Sequence, residues 1–92
     1  MLTSKERAAK RAAANRMPVI MQVGKNGIEE NSVIQVDDAL TARELIKLRV
    51  LDTSEDSPRE VANELAARTG ADVVQVVGGV IVLWRENPEL HK

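Results

Sequence analysis

The sequence predicts an α/β fold in two layers: a four-stranded mixed sheet packed against three helices, in the order helix, strand, helix, strand, helix, strand, strand. Three observations predict it. Two capping boxes, Thr3-Ser4-Lys5-Glu6 and Ser57-Pro58-Arg59-Glu60, each open a helix-like segment; in such a box a hydroxyl and a carboxylate satisfy each other's orphan backbone N–H. Residues 44–51 alternate, with Ile46, Leu48 and Val50 on one side and Lys47 and Arg49 on the other, the period of a strand with one wet face. Finally, two β-rich runs flank Gly78-Gly79, which reads as a hairpin. Strands alternating with helices favour parallel pairing through right-handed crossovers, and the hairpin adds an antiparallel member. The helices are expected on one face of the sheet, with Lys47 and Arg49 on the barer one.

The first helix follows Thr3 as N-cap and runs to about Asn15 through an alanine-rich stretch, alanine having the best helix propensity. Pro18 pushes Met17 towards extended backbone and opens a strand over Val19–Val23. Ser32-Val33-Ile34-Gln35 reads as another capping box, and Val33, Val36 and Leu40 recur at helical spacing. The strand over 44–51 follows. The third helix has Ser57 as N-cap, Pro58 at its first position and Gly70 as its stop, with Val61, Ala62, Leu65 and Ala66 as its buried stripe. The hairpin pairs Val73–Val77 with Val80–Arg85. Asn87-Pro88 ends it, and residues 87–92 are expected to fray.

Ninety-two residues make one small domain with a modest core. A chain 43% hydrophobic and 29% charged folds rather than staying disordered. No cysteine is present, which excludes disulfides, thiolate metal sites and cysteine nucleophiles. The N-terminus lacks the apolar core of a signal peptide. The longest apolar stretch, Val73 to Trp84, is broken by Gln75 and Gly78-Gly79 and is too short to span a bilayer. A cytoplasmic protein without membrane contact is expected. Catalysis has little to work with. His91 is the only histidine, no metal-ligand spacing occurs, and Asp37-Asp38 and Glu29-Glu30 read as solvated helix acids. No cofactor and no small-molecule substrate are expected.

The net charge of −1 is unevenly spread. Residues 1–27 carry six basic residues against Glu6 alone, a balance of +5; the remainder carries seven basic and thirteen acidic residues, a balance of −6. Such separation suggests one basic surface on an acidic body. The loop Gly24-Lys25-Asn26-Gly27, between the first strand and the second helix, belongs to the basic part. Its glycines allow a sharp turn, Lys25 supplies a cation, and the amides opening the next helix would face an anion in the gap. The tetrad suits gripping a nucleic-acid backbone, as in GxxG-loop domains. It lacks the Walker pattern, so nucleotide hydrolysis is not indicated. Arg7, Lys10 and Arg11 share one helix face at i, i+3 and i+4, a stripe that either contacts phosphates or is solvated while the alanines pack inwards.

The stretch from Val23 to Leu51, containing GKNG and ELIKLRVL, together with VVQVVGGVIVLWR from Val73 to Arg85, resembles the CRM domain, the YhbY-like family of bacterial RNA-binding proteins. The resemblance implies a fold similar to the C-terminal domain of bacterial translation initiation factor three. It also implies association with ribosomal RNA in precursors of the large ribosomal subunit, with ribosomal proteins as further partners. It places the family's RNA-contacting loop on Gly24, Lys25, Asn26 and Gly27, and the surrounding basic surface on Arg7, Lys10, Arg11, Lys47 and Arg85. Trp84 stands where tyrosine is usual in the family, and Arg43 where histidine is frequent.

Trp84 is the only aromatic residue. A sheet that reads several bases by stacking needs more, so recognition of RNA shape and backbone is expected and Trp84 reads as a packing residue. The competing reading is a protein-interaction module that docks a partner on a sheet edge or on its acidic helices.

Overall fold

The computed structural model describes residues 2–91, the last of them by its backbone alone. Helix α1 spans Ser4–Ala14, strand β1 Met21–Val23, helix α2 Glu30–Arg43, strand β2 Leu45–Val50, helix α3 Pro58–Thr69, strand β3 Asp72–Val77 and strand β4 Val80–Trp84. The sheet order is β1-β2-β4-β3. β1 runs parallel to β2, with Val23 opposite Val50; β4 is antiparallel to both β2 and β3. This is the α/β fold with a four-stranded mixed sheet and three helices that the sequence predicts.

Both capping boxes form. Thr3 Oγ1 accepts from the Glu6 amide at 3.1 Å while Glu6 Oε1 accepts from the Thr3 amide at 3.1 Å. The Thr3 backbone N–H and hydroxyl hold the Glu6 carboxyl below its usual range. At α3, Ser57 Oγ accepts from the Glu60 amide at 3.2 Å and Glu60 Oε1 from the Ser57 amide at 3.4 Å. Replacing Ser57 with alanine removes one side of that box and should cost about 1 kcal/mol. In a domain of this size that lowers Tm by roughly 4–8 °C, a shift that thermal denaturation followed by circular dichroism resolves.

The main core lies between the sheet and helices α2 and α3. Val36, Leu40, Val61, Ala62 and Leu65 from the helices meet Val23, Ile46, Leu48, Ile81 and Leu83 from the strands. Every one of these is buried, so the period-two reading of β2 holds in detail. A register shift between Val73 and Gln75 changes the phase of β3. It brings both Val73 and Val76 to this core and turns Val74 to the opposite face, as an extra residue in one strand does.

The three helices do not share one face. Ala14 at the end of α1, flanked by Leu2 and Met17, packs with Val74, Val82, Leu45 and Trp84 on the other side of the sheet. The cause is in β4. Its run Val80-Ile81-Val82-Leu83-Trp84 is apolar at every position, the composition of a strand covered on both faces. Helix α1 supplies the second cover.

Helix α2 begins two residues before the expected Ser32 cap. Glu29 is its N-cap and makes no side-chain capping bond. Ile28 before it and Val33, four residues into the helix, both pack on the core, which are the positions of a hydrophobic staple. Apolar anchoring therefore sets this entry. The expected fraying from residue 87 also gives way to structure. Asn87 donates from its amide to Glu44 Oε2 at 2.8 Å and from Nδ2 to Thr41 O at 2.6 Å, and Pro88–His91 form a 3-10 turn. Lys92 lies outside the described residues.

Candidate nucleic-acid interface

Because β1 and β2 are parallel, the Gly24–Gly27 loop leaves the same sheet end as the segment after β2. Leu51 N–H donates to Val23 O at 2.8 Å. The β3–β4 turn reaches this end as well, with Val50 N–H donating to Gly79 O at 2.6 Å. The loop itself is a tight turn closed by Gly27 N–H on Gly24 O at 2.9 Å. Lys25 and Asn26 occupy its two central positions and are exposed. Only Gly27 takes a left-handed φ, +66°, the position after a turn where glycine is favoured. The loop thus presents one cation and one amide at the tip of a turn whose conformation is set by its closing glycine.

The strand register builds a polar surface beside this loop. On the face that carries α1, Gln22, Arg49, Val80 and Val77 form one row across the sheet, and Lys47, Val82 and Gln75 the next. Helix α1 stops at Ala14, so the upper row is open: Arg49, Gln22 and Val77 are exposed. Lys47 is half-buried, its Nζ donating to Ala14 O at 3.3 Å. Ala14 O lies at the C-terminal end of α1, where a lysine is favoured, and it also accepts from Met17 N–H at 3.0 Å. Two further N–H donors of Lys47 remain. Lys47 and Arg49 therefore share the α1 face, and Lys25 stands at the sheet end towards which they lead, with Lys47 about 10 Å along β2 from Val50, given ~3.3 Å per residue.

The other predicted cations are placed differently. Helix α1 is rolled so that Arg7, Lys10 and Ala14 turn to the sheet while Ala8, Ala9, Ala12 and Ala13 are exposed, the reverse of the expectation that alanines pack inwards. Arg7 donates to the carbonyl of Val73 on the outer strand. Lys10 Nζ sits 4.7 Å from the centroid of the Trp84 ring, a cation–π contact. Long stems of this kind cover apolar surface while the charged heads reach polar partners, which short alanines cannot do. Arg11 remains exposed. Trp84 is held in the α1 packing cluster, as a packing residue.

Arg85 is not part of the surface. It follows β4 at the sheet end where Trp84 pairs with Leu45, opposite the loop. Its guanidinium donates to Asp37 Oδ1 at 2.6 Å, Thr69 O at 2.7 Å, Thr41 Oγ1 at 2.9 Å and Asp37 O at 3.0 Å. Those bonds tie α2 to the end of α3 and leave the guanidinium engaged within the fold.

Three acidic neighbours temper the loop. Glu29 and Glu30, both exposed, stand at the start of α2, so the amides there already have carboxylates close by. Across from Gly27, Asp56 Oδ2 lies 3.9 Å from where a Cβ on that glycine would be. Sequence reasoning found neither Asp56 nor the row of Gln22, Arg49 and Val77. Alternation along β2 already groups Arg49 with Lys47, but which strands flank β2 becomes visible only with the register.

Residues 2–85 match the CRS1 / YhbY (CRM) domain. This chain belongs to that family. A relative, "Probable RNA-binding protein YqeI" of Bacillus subtilis, is 40% identical over 89 residues, covering 97% of this chain and 93% of that protein. The "RNA-binding protein" of Haemophilus influenzae is 27% identical over 88 residues, covering 96% and 89%. Among solved structures, the solution structure of the hypothetical protein SAV1595 from Staphylococcus aureus superposes with a TM-score of 0.81 at 44% identity. It covers 95% of this chain and 91% of that one. This CRM domain therefore carries its GKNG turn at the end of a parallel strand pair, next to an open sheet face bearing Lys47 and Arg49. Among its described residues no cluster of three metal-ligating side chains occurs, and no helix is long and apolar enough to cross a membrane.

Proposed function

We propose that this CRM domain is a non-enzymatic RNA-binding protein that associates with ribosomal RNA in precursors of the large ribosomal subunit and assists their assembly. Electrostatic capture on Lys25, Lys47 and Arg49 comes first, since neutralising phosphates releases counterions. The Gly24–Gly27 turn then grips the backbone. The observation that carries this reading is the exposed Lys25-Asn26 tip standing at the same sheet end and edge as the open cationic row. The names of the relatives support RNA as the partner, and ribosomal proteins are secondary partners in this setting. Neither Arg7 nor Arg85 is needed for it, because both guanidinia are committed within the fold. The location is the cytoplasm.

Co-sedimentation with ribosomal particles at low and moderate salt tests the proposal, comparing wild type with a Lys25→Glu, Asn26→Asp variant shown to be folded. Affinity for large-subunit precursors should fall by about tenfold to a hundredfold, because a cation at the backbone contact becomes an anion. Unchanged association would remove the loop from the interface. One observation favours a second contact: on α2, Ile34 is 51% exposed and stands one turn from Glu30 and Asp38. A protein complex that survives nuclease and ignores Lys25 would place the function there instead.

A further inference from the structure

Where α1 ends, the chain turns away through Asn15 and Arg16, both exposed, and a groove of about 210 Å³ opens on the sheet beyond Ala14. We propose that this groove receives one unpaired nucleobase of the RNA whose backbone the Gly24–Gly27 turn grips, an inference that rests on the RNA-binding reading above. Its floor is Val82, with Val77 and Val80 towards the rim; Ala14 forms one side, and Asn15, Lys47 and Gln75 supply the polar groups. Val82 is buried at the bottom and Val77, 58% exposed, marks an open rim. A flat, aliphatic floor with polar groups at its margin fits the face of a heterocycle whose edge needs hydrogen-bond partners.

The polar groups match that occupant. The Gln75 amide offers an acceptor and two donors, which is what a base edge requires. Lys47 Nζ spends one N–H on Ala14 O and has two left for a phosphate or a base carbonyl. No carboxylate lines the groove, and Arg49 stands directly opposite Val80, in the groove's outer row. The site thus combines an apolar floor with cationic surroundings, complementary to an anionic backbone carrying apolar rings. A base within a duplex cannot enter; one in a bulge or loop can, because it is already out of the stack. The only aromatic ring, Trp84, is covered by Lys10 and the α1 cluster, so the groove takes the part that aromatic platforms play elsewhere.

The test uses two RNA hairpins identical except for a single-nucleotide bulge carrying 4-thiouridine. Wild-type protein should bind the bulged hairpin about tenfold more tightly than the paired one, the scale of one base–side-chain contact. Ultraviolet cross-linking with peptide mapping should mark Lys47 or residues 73–82. Gln75→Ala and the groove-filling Val80→Trp should each bring the preference to about twofold or less; the cross-link on wild type stands even where Val80→Trp fails to fold. Equal affinity for the two hairpins, or a cross-link that leaves Lys47 and residues 73–82 unmarked, overturns the base groove and leaves the loop reading intact. Absence of salt-sensitive binding to either hairpin overturns the loop reading along with it.

Discussion

Arg85→Ala is expected to cost about 2–4 kcal/mol of folding stability and to leave RNA affinity per folded molecule unchanged. The guanidinium serves four acceptors: a carboxylate and a carbonyl of Asp37, the Thr41 hydroxyl and the Thr69 carbonyl. The Asp37 pair by itself contributes little, because the Asp37 side chain is 52% exposed. The loss comes from the carbonyl at the end of α3, which the truncated side chain leaves without its charged donor. It comes also from the loosened C-terminal segment. Arg85 N–H donates to Glu44 O at 2.9 Å, and Asn87 then binds Glu44 and Thr41. Glu44 holds a φ of +63°, a strained conformation that persists only when its surroundings fix it. Urea denaturation gives the stability and filter binding at fixed folded fraction gives the affinity. A variant that keeps wild-type stability but loses RNA binding would return Arg85 to the interface.

Arg85 also shows why sequence alone misplaced some of the basic surface. The fold was legible because its signals are local. The two capping boxes, the alternation along β2 and the glycine pair of the hairpin each act within a few residues, and each has one physical reading. The Gly24–Gly27 turn was legible for the same reason. The destination of a long cationic side chain is not local. Arg7 meets the carbonyl of a residue 66 positions away and Arg85 meets Asp37 across 48, pairings that exist only once the strand order is known. The side of the sheet taken by α1 is intermediate. The uninterrupted apolar run of β4 implies cover on both faces, but β2 alone, with Lys47 and Arg49 outward, argues for one. Lys47 reconciles the two by reaching Ala14 O at the end of α1. A charged residue on a covered face is thereby satisfied and still held at the mouth of the open half.

Gly79→Ala should be as damaging as loss of Arg85, about 2–4 kcal/mol, because the added methyl meets backbone that cannot yield cheaply. A Cβ at Gly79 would lie 2.8 Å from Val50 O, and Val50 N–H is bonded to Gly79 O at 2.6 Å. Relieving the clash means parting the β3–β4 turn from the end of β2 and giving up that bond. Gly78 beside it makes the control. A methyl group there would meet nothing within 4 Å, but its φ is +56°, so Gly78→Ala costs about 1 kcal/mol of backbone strain alone. The two neighbours separate steric approach from dihedral preference within one turn, and denaturant midpoints measured side by side should rank Gly79→Ala well below Gly78→Ala. The same displacement moves Val77 and Val80 at the rim of the groove. Gly79→Ala, assayed where it is still folded, should therefore weaken discrimination for a bulged RNA more than Gly78→Ala does. Equal midpoints for the two variants would mean that the turn and the end of β2 are free to separate, and that the open face beside the GKNG turn is not held in one shape.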